Sequence, residues 1–113
     1  MHEYSVTKSL VDLCIREADR NGFKKIYRIN LAIGKFTGFS ADSINFYFDY
    51  LKEGTSCQDA EISFKEVPIA IRCRSCNRES TIEEPMLICP LCNAVDIELL
   101  TGREFLVESI EGE

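Results

Sequence analysis

Four cysteines stand as two C-x-x-C pairs, Cys73-Arg74-Ser75-Cys76 and, after twelve intervening residues, Cys89-Pro90-Leu91-Cys92. This spacing lets two tight knuckles bring four thiolates to one tetrahedral Zn²⁺, at Zn–S distances of roughly 2.3 Å. Asn77 and Asn93 follow the second cysteine of each pair. A knuckle of this kind calls for a left-handed residue there, and Asn is the best stand-in for glycine. Four thiolates complete the tetrahedron and leave no position for water or substrate, so the predicted centre is structural. Two disulfides or a redox C-x-x-C are weaker readings, and iron suits a Cys₄ tetrahedron as well as zinc. Arg72, Arg74 and Arg78 gather at the first knuckle. They are expected to offset the negative charge of a Zn(Cys)₄ centre rather than to form a partner-binding patch.

A second donor set lies at the start of the chain, where His2 is the one histidine. A residue as large as His in second place should block removal of the initiator methionine and keep the Met1 amine. The Met1 α-amine, the His2 amide nitrogen and the His2 imidazole could chelate one ion in fused rings, with Glu3 as a further donor. Planar nitrogen donation favours Ni²⁺ or Cu²⁺ over Zn²⁺. On the residues alone, a solvated terminus is the stronger reading.

The elements that must position these groups are legible as periodicities. Val6, Leu10, Leu13, Cys14 and Ala18, widened by Val11 and Ile15, form the apolar face of a helix ended by Asn21-Gly22. Tyr27, Ile29, Leu31 and Ile33 alternate with polar or small residues and predict a strand. Gly34 to Gly38 break it, and Ser40 caps a second helix carrying Ile44, Tyr47, Phe48 and Leu51, closed by Gly54. The aromatics Phe39, Phe46, Tyr47, Phe48 and Tyr50 suit core and interface. A strand from Ala60 continues through Val67, Ile69 and Ile71, with Pro68 marking an edge or a bulge. Residues 97–100 and 105–110 read as returning strand.

The expected fold class is α+β. A small sheet of about three strands packs with two helices and carries an inserted Cys₄ zinc-ribbon-like module. The zinc loop is expected between strands that leave and re-enter one sheet. The body would take residues 1–70 and 97–113, and the module residues 71–96.

With 113 residues and 45% apolar side chains the chain can bury a core. It has no apolar run near the ~18 residues of a membrane span and no charged-then-apolar leader. Zinc-spaced cysteines without a leader predict a cytoplasmic protein. The formal charge is −6, and four thiolates around one Zn²⁺ would make it more negative still. That disfavours a nucleic-acid surface, so a zinc-ribbon nucleic-acid-binding or regulatory protein is the alternative reading. With a saturated zinc and one histidine at the extreme end, no catalytic constellation is assembled, and no enzyme is expected.

Met1-His2-Glu3 opening a helix, Ile33-Gly34-Lys35-Phe36-Thr37, the C-x₂-C-x₁₂-C-x₂-C spacing and Leu100-Thr101-Gly102-Arg103-Glu104 together resemble the HypA/HybF family of hydrogenase-maturation nickel proteins. The resemblance covers essentially the whole chain. It implies a metallochaperone that binds Ni²⁺ as cargo through His2 and keeps a structural zinc on Cys73, Cys76, Cys89 and Cys92. The implied partners are the maturation GTPase HypB and the large-subunit precursor of [NiFe]-hydrogenase, with urease maturation proteins for some relatives. Some relatives carry histidines flanking the cysteine pairs. This chain has none, so no histidine-based response is expected at its zinc site.

Overall fold

The computed structural model describes residues 2–113. Helix α1 (Glu3–Asn21) stops at Gly22, whose φ of 74° turns its N–H back onto the carbonyls of Ala18 and Asp19. Its buried face is Thr7, Leu10, Val11, Cys14 and Ala18, and the Thr7 hydroxyl donates to the Glu3 carbonyl at 2.5 Å. Strand β1 (Ile26–Gly34) leads through a single 3₁₀ turn to α2 (Ala41–Leu51). The Ser40 hydroxyl caps α2 by accepting the Ser43 amide hydrogen at 3.3 Å, and Ile44 and Phe48 are its buried residues. The helix ends at Leu51, and Gly54, with φ 74°, belongs to the turn that follows.

Strands β2 (Glu61–Val67) and β6 (Phe105–Gly112) flank β1 in the order β2-β1-β6. Strand β1 is central, which is why its burial exceeds simple alternation and Ala32 is buried along with Ile29, Leu31 and Ile33. Strand β6 runs antiparallel to it, with the Glu113 amide on the Lys25 carbonyl at 2.9 Å and Asn30 bonded to the Ser109 hydroxyl at 2.8 Å. Helices α1 and α2 pack together, Tyr4 meeting Tyr47 edge-on at 5.5 Å. Cys14 and Cys57 are both free and buried. The thiol of Cys57 beside it, together with burial, pushes Cys14 up, so Cys14 is a neutral core residue.

The chain forms two compact units. One takes the chain through Leu31, with Phe39–Lys65 and Leu106–Glu113; the other takes Ala32–Gly38 and Glu66–Phe105.

The strand expected to run on past Pro68 is divided there. Strand β2 ends at Val67, and β3 (Ile69–Cys73) begins a separate sheet with β4 (Glu79–Ile82) and β5 (Ile97–Thr101), in the order β4-β3-β5. Proline has no N–H for a ladder, so the chain changes sheets where the pairing is already broken. The Pro68 carbonyl is taken by the Thr101 hydroxyl at 2.8 Å. The zinc loop therefore leaves from and returns to its own sheet, through β3 and β5, rather than the sheet that holds β1. Strand β4 was not expected, because Glu79-Ser80-Thr81-Ile82 has a single apolar residue. It is held by its pairing with β3, Ile69 opposite Ile82 and Arg72 opposite Glu79.

Candidate metal centre

Strand β3 delivers Cys73 at its last residue, opposite Ile97 of β5. The chain then turns so that the Asn77 amide bonds back to the Cys73 carbonyl at 2.9 Å, and the Cys73 amide to the Arg78 carbonyl at 2.9 Å. The second knuckle repeats the pattern. The Asn93 amide meets the Cys89 carbonyl at 2.9 Å, and the Cys89 amide the Ala94 carbonyl at 2.9 Å. Asn77 and Asn93 have φ of 59° and 64°, the only non-glycine residues with positive φ among those described. The left-handed turn expected after each pair is present in both.

The four Sγ atoms all lie within 4.8 Å of one another, with Cys73 and Cys92 at 3.5 Å and Cys76 and Cys89 at 3.8 Å. A tetrahedron with Zn–S bonds of about 2.3 Å has S···S edges of about 3.8 Å, so the donor set fits a zinc ion. It is the only group of three or more metal-capable side chains found among the described residues.

Electrostatics within the cluster are uneven. The Arg78 amide and then its guanidinium lower the Cys76 thiol to about 6, and the Cys76 amide, assisted by that of Ser75, lowers Cys73. The Ala94 amide also pulls Cys92 down, but the neighbouring sulfur of Cys73, desolvation and the other two cysteines outweigh it and raise Cys92 to about 12. Four sulfurs this close cannot all ionise unaided, and a dication replaces the shared protons. Of the three arginines, only Arg78 meets a thiolate. Arg72 pairs with Glu79 at 2.7 Å and Glu98 at 3.8 Å, and Arg74 with Asp96 at 2.9 Å. The charge-offsetting role predicted for all three therefore narrows to Arg78.

At the other candidate site, His2 is exposed and occupies the N-cap of α1, its carbonyl accepting the Val6 amide hydrogen at 3.0 Å. Its own amide nitrogen precedes the helical hydrogen-bond ladder, so metal binding there costs no helical bond. The Glu3 carboxylate accepts the Ser40 amide hydrogen at 3.4 Å, linking the first residue of α1 to the cap of α2. The Met1 amine, the third predicted donor, lies outside the described residues.

A family model described as "HypA: Hydrogenase/urease nickel incorporation, metallochaperone, hypA" matches residues 1–112. The chain belongs to the HypA family. The hydrogenase maturation factor HypA of Dehalococcoides mccartyi is 38% identical over 111 residues, covering 98% of this chain and 93% of that protein. The HypA of Caldanaerobacter subterraneus subsp. tengcongensis is 38% identical over 114 residues, covering 100% of both. The solution structure of the Ni metallochaperone HypA from Helicobacter pylori superposes with a TM-score of 0.70 at 26% identity, covering 99% of this chain and 97% of that one. A second HypA solution structure gives a TM-score of 0.73, also at 26% identity.

Membership of the HypA family makes this chain a nickel metallochaperone of hydrogenase and urease maturation, with a Cys₄ cluster consistent with structural zinc and nickel as cargo. The zinc-ribbon nucleic-acid reading is not favoured. No helix among the described residues is long and apolar enough to cross a membrane. Sequence reasoning missed one clasp at the centre. The Arg74 amide bonds to the Asp96 carbonyl at 3.0 Å while its guanidinium holds the Asp96 carboxylate and the Ile97 carbonyl, at 2.9 and 3.2 Å. Its signal in the sequence was a pair of opposite charges, Arg74 inside the first C-x-x-C pair and Asp96 shortly after the second.

Proposed function

We propose that this HypA-family chain takes up Ni²⁺ through the Met1 amine, the amide and imidazole of His2, and Glu3. It passes the ion to the large-subunit precursor of [NiFe]-hydrogenase together with the maturation GTPase HypB, and urease maturation proteins are further candidate partners. Cys73, Cys76, Cys89 and Cys92 hold a structural Zn²⁺ that orders residues 71–96, while nickel binding belongs to the body of residues 1–70 and 97–113. The protein acts in the cytoplasm, as a carrier and not as an enzyme. A carrier must release its ion, so nickel affinity is moderate.

The observation that carries the nickel assignment is the placement of His2. It is exposed, it precedes the helical ladder, and it adjoins a carboxylate held by α2. The zinc assignment is supported by sulfur separations that match a tetrahedral ion. The test is Ni²⁺ titration of untagged, zinc-loaded protein beside a version with one residue added ahead of Met1. The addition takes the primary amine out of chelating position, and weaker binding is expected with His2 intact. Equal binding by the two proteins rules out the N-terminal site.

A further inference from the structure

The four sulfurs of the knuckles are not equally shielded. Cys73 and Cys89 are fully buried, Cys76 is partly buried, and Cys92 is exposed. Each of the two buried sulfurs also accepts an amide hydrogen bond, Cys73 from Cys76 and Cys89 from Leu91, both at 3.4 Å. Burial blocks approach and directs an incoming electrophile away from Cys73 and Cys89; the amide bonds do not separate the sulfurs, because Cys92 accepts one from Ala94 as well. Cys92 stands in a stretch whose neighbours Leu91 and Val95 are 50% and 76% exposed, an apolar approach open to a small molecule, with the Arg78 charge within electrostatic reach of the sulfur. Across from it, in the other knuckle, is the Cys73 sulfur at 3.5 Å.

We propose that Cys92 is a modification site, the thiolate at which a hydroperoxide attacks the zinc centre, and that Cys73 is the thiol that resolves the product. The proposal rests on the reading of the Cys₄ cluster as a zinc site. Bound zinc keeps the sulfurs deprotonated without extinguishing their nucleophilicity. The Cys92 sulfur attacks one oxygen of the peroxide; the O–O bond breaks, leaving a sulfenic acid and a hydroxide that is protonated to water. The Cys73 thiolate attacks the Cys92 sulfur and expels a second hydroxide, also protonated to water. Two thiolates are oxidised by two electrons in all, hydrogen peroxide is reduced to two waters, and two protons are consumed. From 3.5 Å the sulfurs must close by about 1.5 Å to reach disulfide length. The disulfide joins the two knuckles, whereas C-x-x-C spacing alone suggests one within a knuckle, and it removes two of the four zinc donors.

The test uses the full zinc-loaded chain in two arms. Limiting N-ethylmaleimide, followed by peptide mapping, should label Cys92 at least ~10-fold faster than Cys73, Cys76 or Cys89. Substoichiometric hydrogen peroxide should release one zinc per disulfide formed, with Cys73–Cys92 as the first linked peptide and the buried Cys14 and Cys57 unmodified. A zinc-loaded chain that labels first at Cys76 or Cys89, or whose first disulfide is Cys89–Cys92, overturns the proposal and leaves the zinc reading intact. A chain that purifies without zinc, with residues 71–96 ordered, overturns both.

Discussion

Gly34 and Gly102 pass so closely that a Cβ on Gly34 would lie 1.9 Å from the Gly102 carbonyl oxygen. Three hydrogen bonds hold the approach. The Gly34 amide bonds to the Glu104 carbonyl at 2.7 Å, the Phe36 amide to the Gly102 carbonyl at 2.8 Å, and the Gly102 amide to the Glu104 carboxylate at 2.7 Å. Arg103 lies over the Phe36 ring at 5.5 Å. Residues 33–37 and 100–104, two of the segments that carry the family resemblance, therefore interlock as one piece of structure.

Gly34→Ala should lower stability by about 3 kcal/mol, because the obstacle is backbone and cannot rotate away. Gly38→Ala is the control. Its φ of 73° disfavours a side chain but nothing lies within 4 Å of the new Cβ, so the loss should be about 1 kcal/mol. Urea unfolding of the zinc-loaded proteins measures both, and equal losses would contradict the close approach.

Asn77 and Asn93 share a left-handed backbone, and the same substitutions should act alike at both. Replacement by Gly should leave zinc affinity near its original value. Replacement by Ala should weaken it roughly 5- to 30-fold, the ~1–2 kcal/mol that an ordinary residue loses in this conformation. Competition with a chromogenic chelator reads the difference, and tolerance of Ala at both positions would show that turn geometry does not limit metal binding.

Cys73→Ala or Cys92→Ala should release the metal and loosen residues 71–96. Outside β3, β4 and β5, that stretch has little buried apolar surface of its own. Helices α1 and α2 should persist, because they pack against each other in the unit that does not hold the cysteines. Hydrogen exchange with metal analysis decides the point: retained zinc with unchanged protection in that stretch would be incompatible with a Cys₄ centre.

His2→Ala should reduce nickel affinity at least ~10-fold, equivalent to about 1.4 kcal/mol. Zinc content and helicity should not change, since His2 is exposed and makes no side-chain cap bond to α1. Calorimetry with zinc already bound separates the two metals, and an unaltered nickel isotherm would exclude the imidazole as a ligand.

The partner surface is testable on α1, whose start carries the proposed nickel site. Lys8, 54% exposed and paired with Asp12 at 3.4 Å, and Arg16 are the residues to reverse. Lys8→Glu and Arg16→Glu should each weaken the proposed complex with HypB and leave stability nearly unchanged, since exposed pairs contribute at most ~1 kcal/mol. Undiminished affinity in both variants would place the interface elsewhere.

What the sequence determined by itself was local chemistry. The Cys₄ spacing, the left-handed asparagines, the Ser40 cap and the Gly22 stop each depend on a few contiguous residues whose conformational preferences act on the spot. The buried face of α1 was legible for the same reason, because helical periodicity maps directly onto one side of a cylinder. The tertiary structure decided what depended on alternatives of similar local cost. Pro68 forbids a ladder bond equally at an edge, at a bulge or between sheets, and only the pairing of β3 with β4 and β5 selects the last. Arg72, Arg74 and Arg78 are one cluster in sequence, yet carboxylates on neighbouring segments claim two of them and leave the third to sulfur. Gly34 and Gly102 read separately as turn glycines, since a close approach between distant backbones leaves no mark on either segment alone.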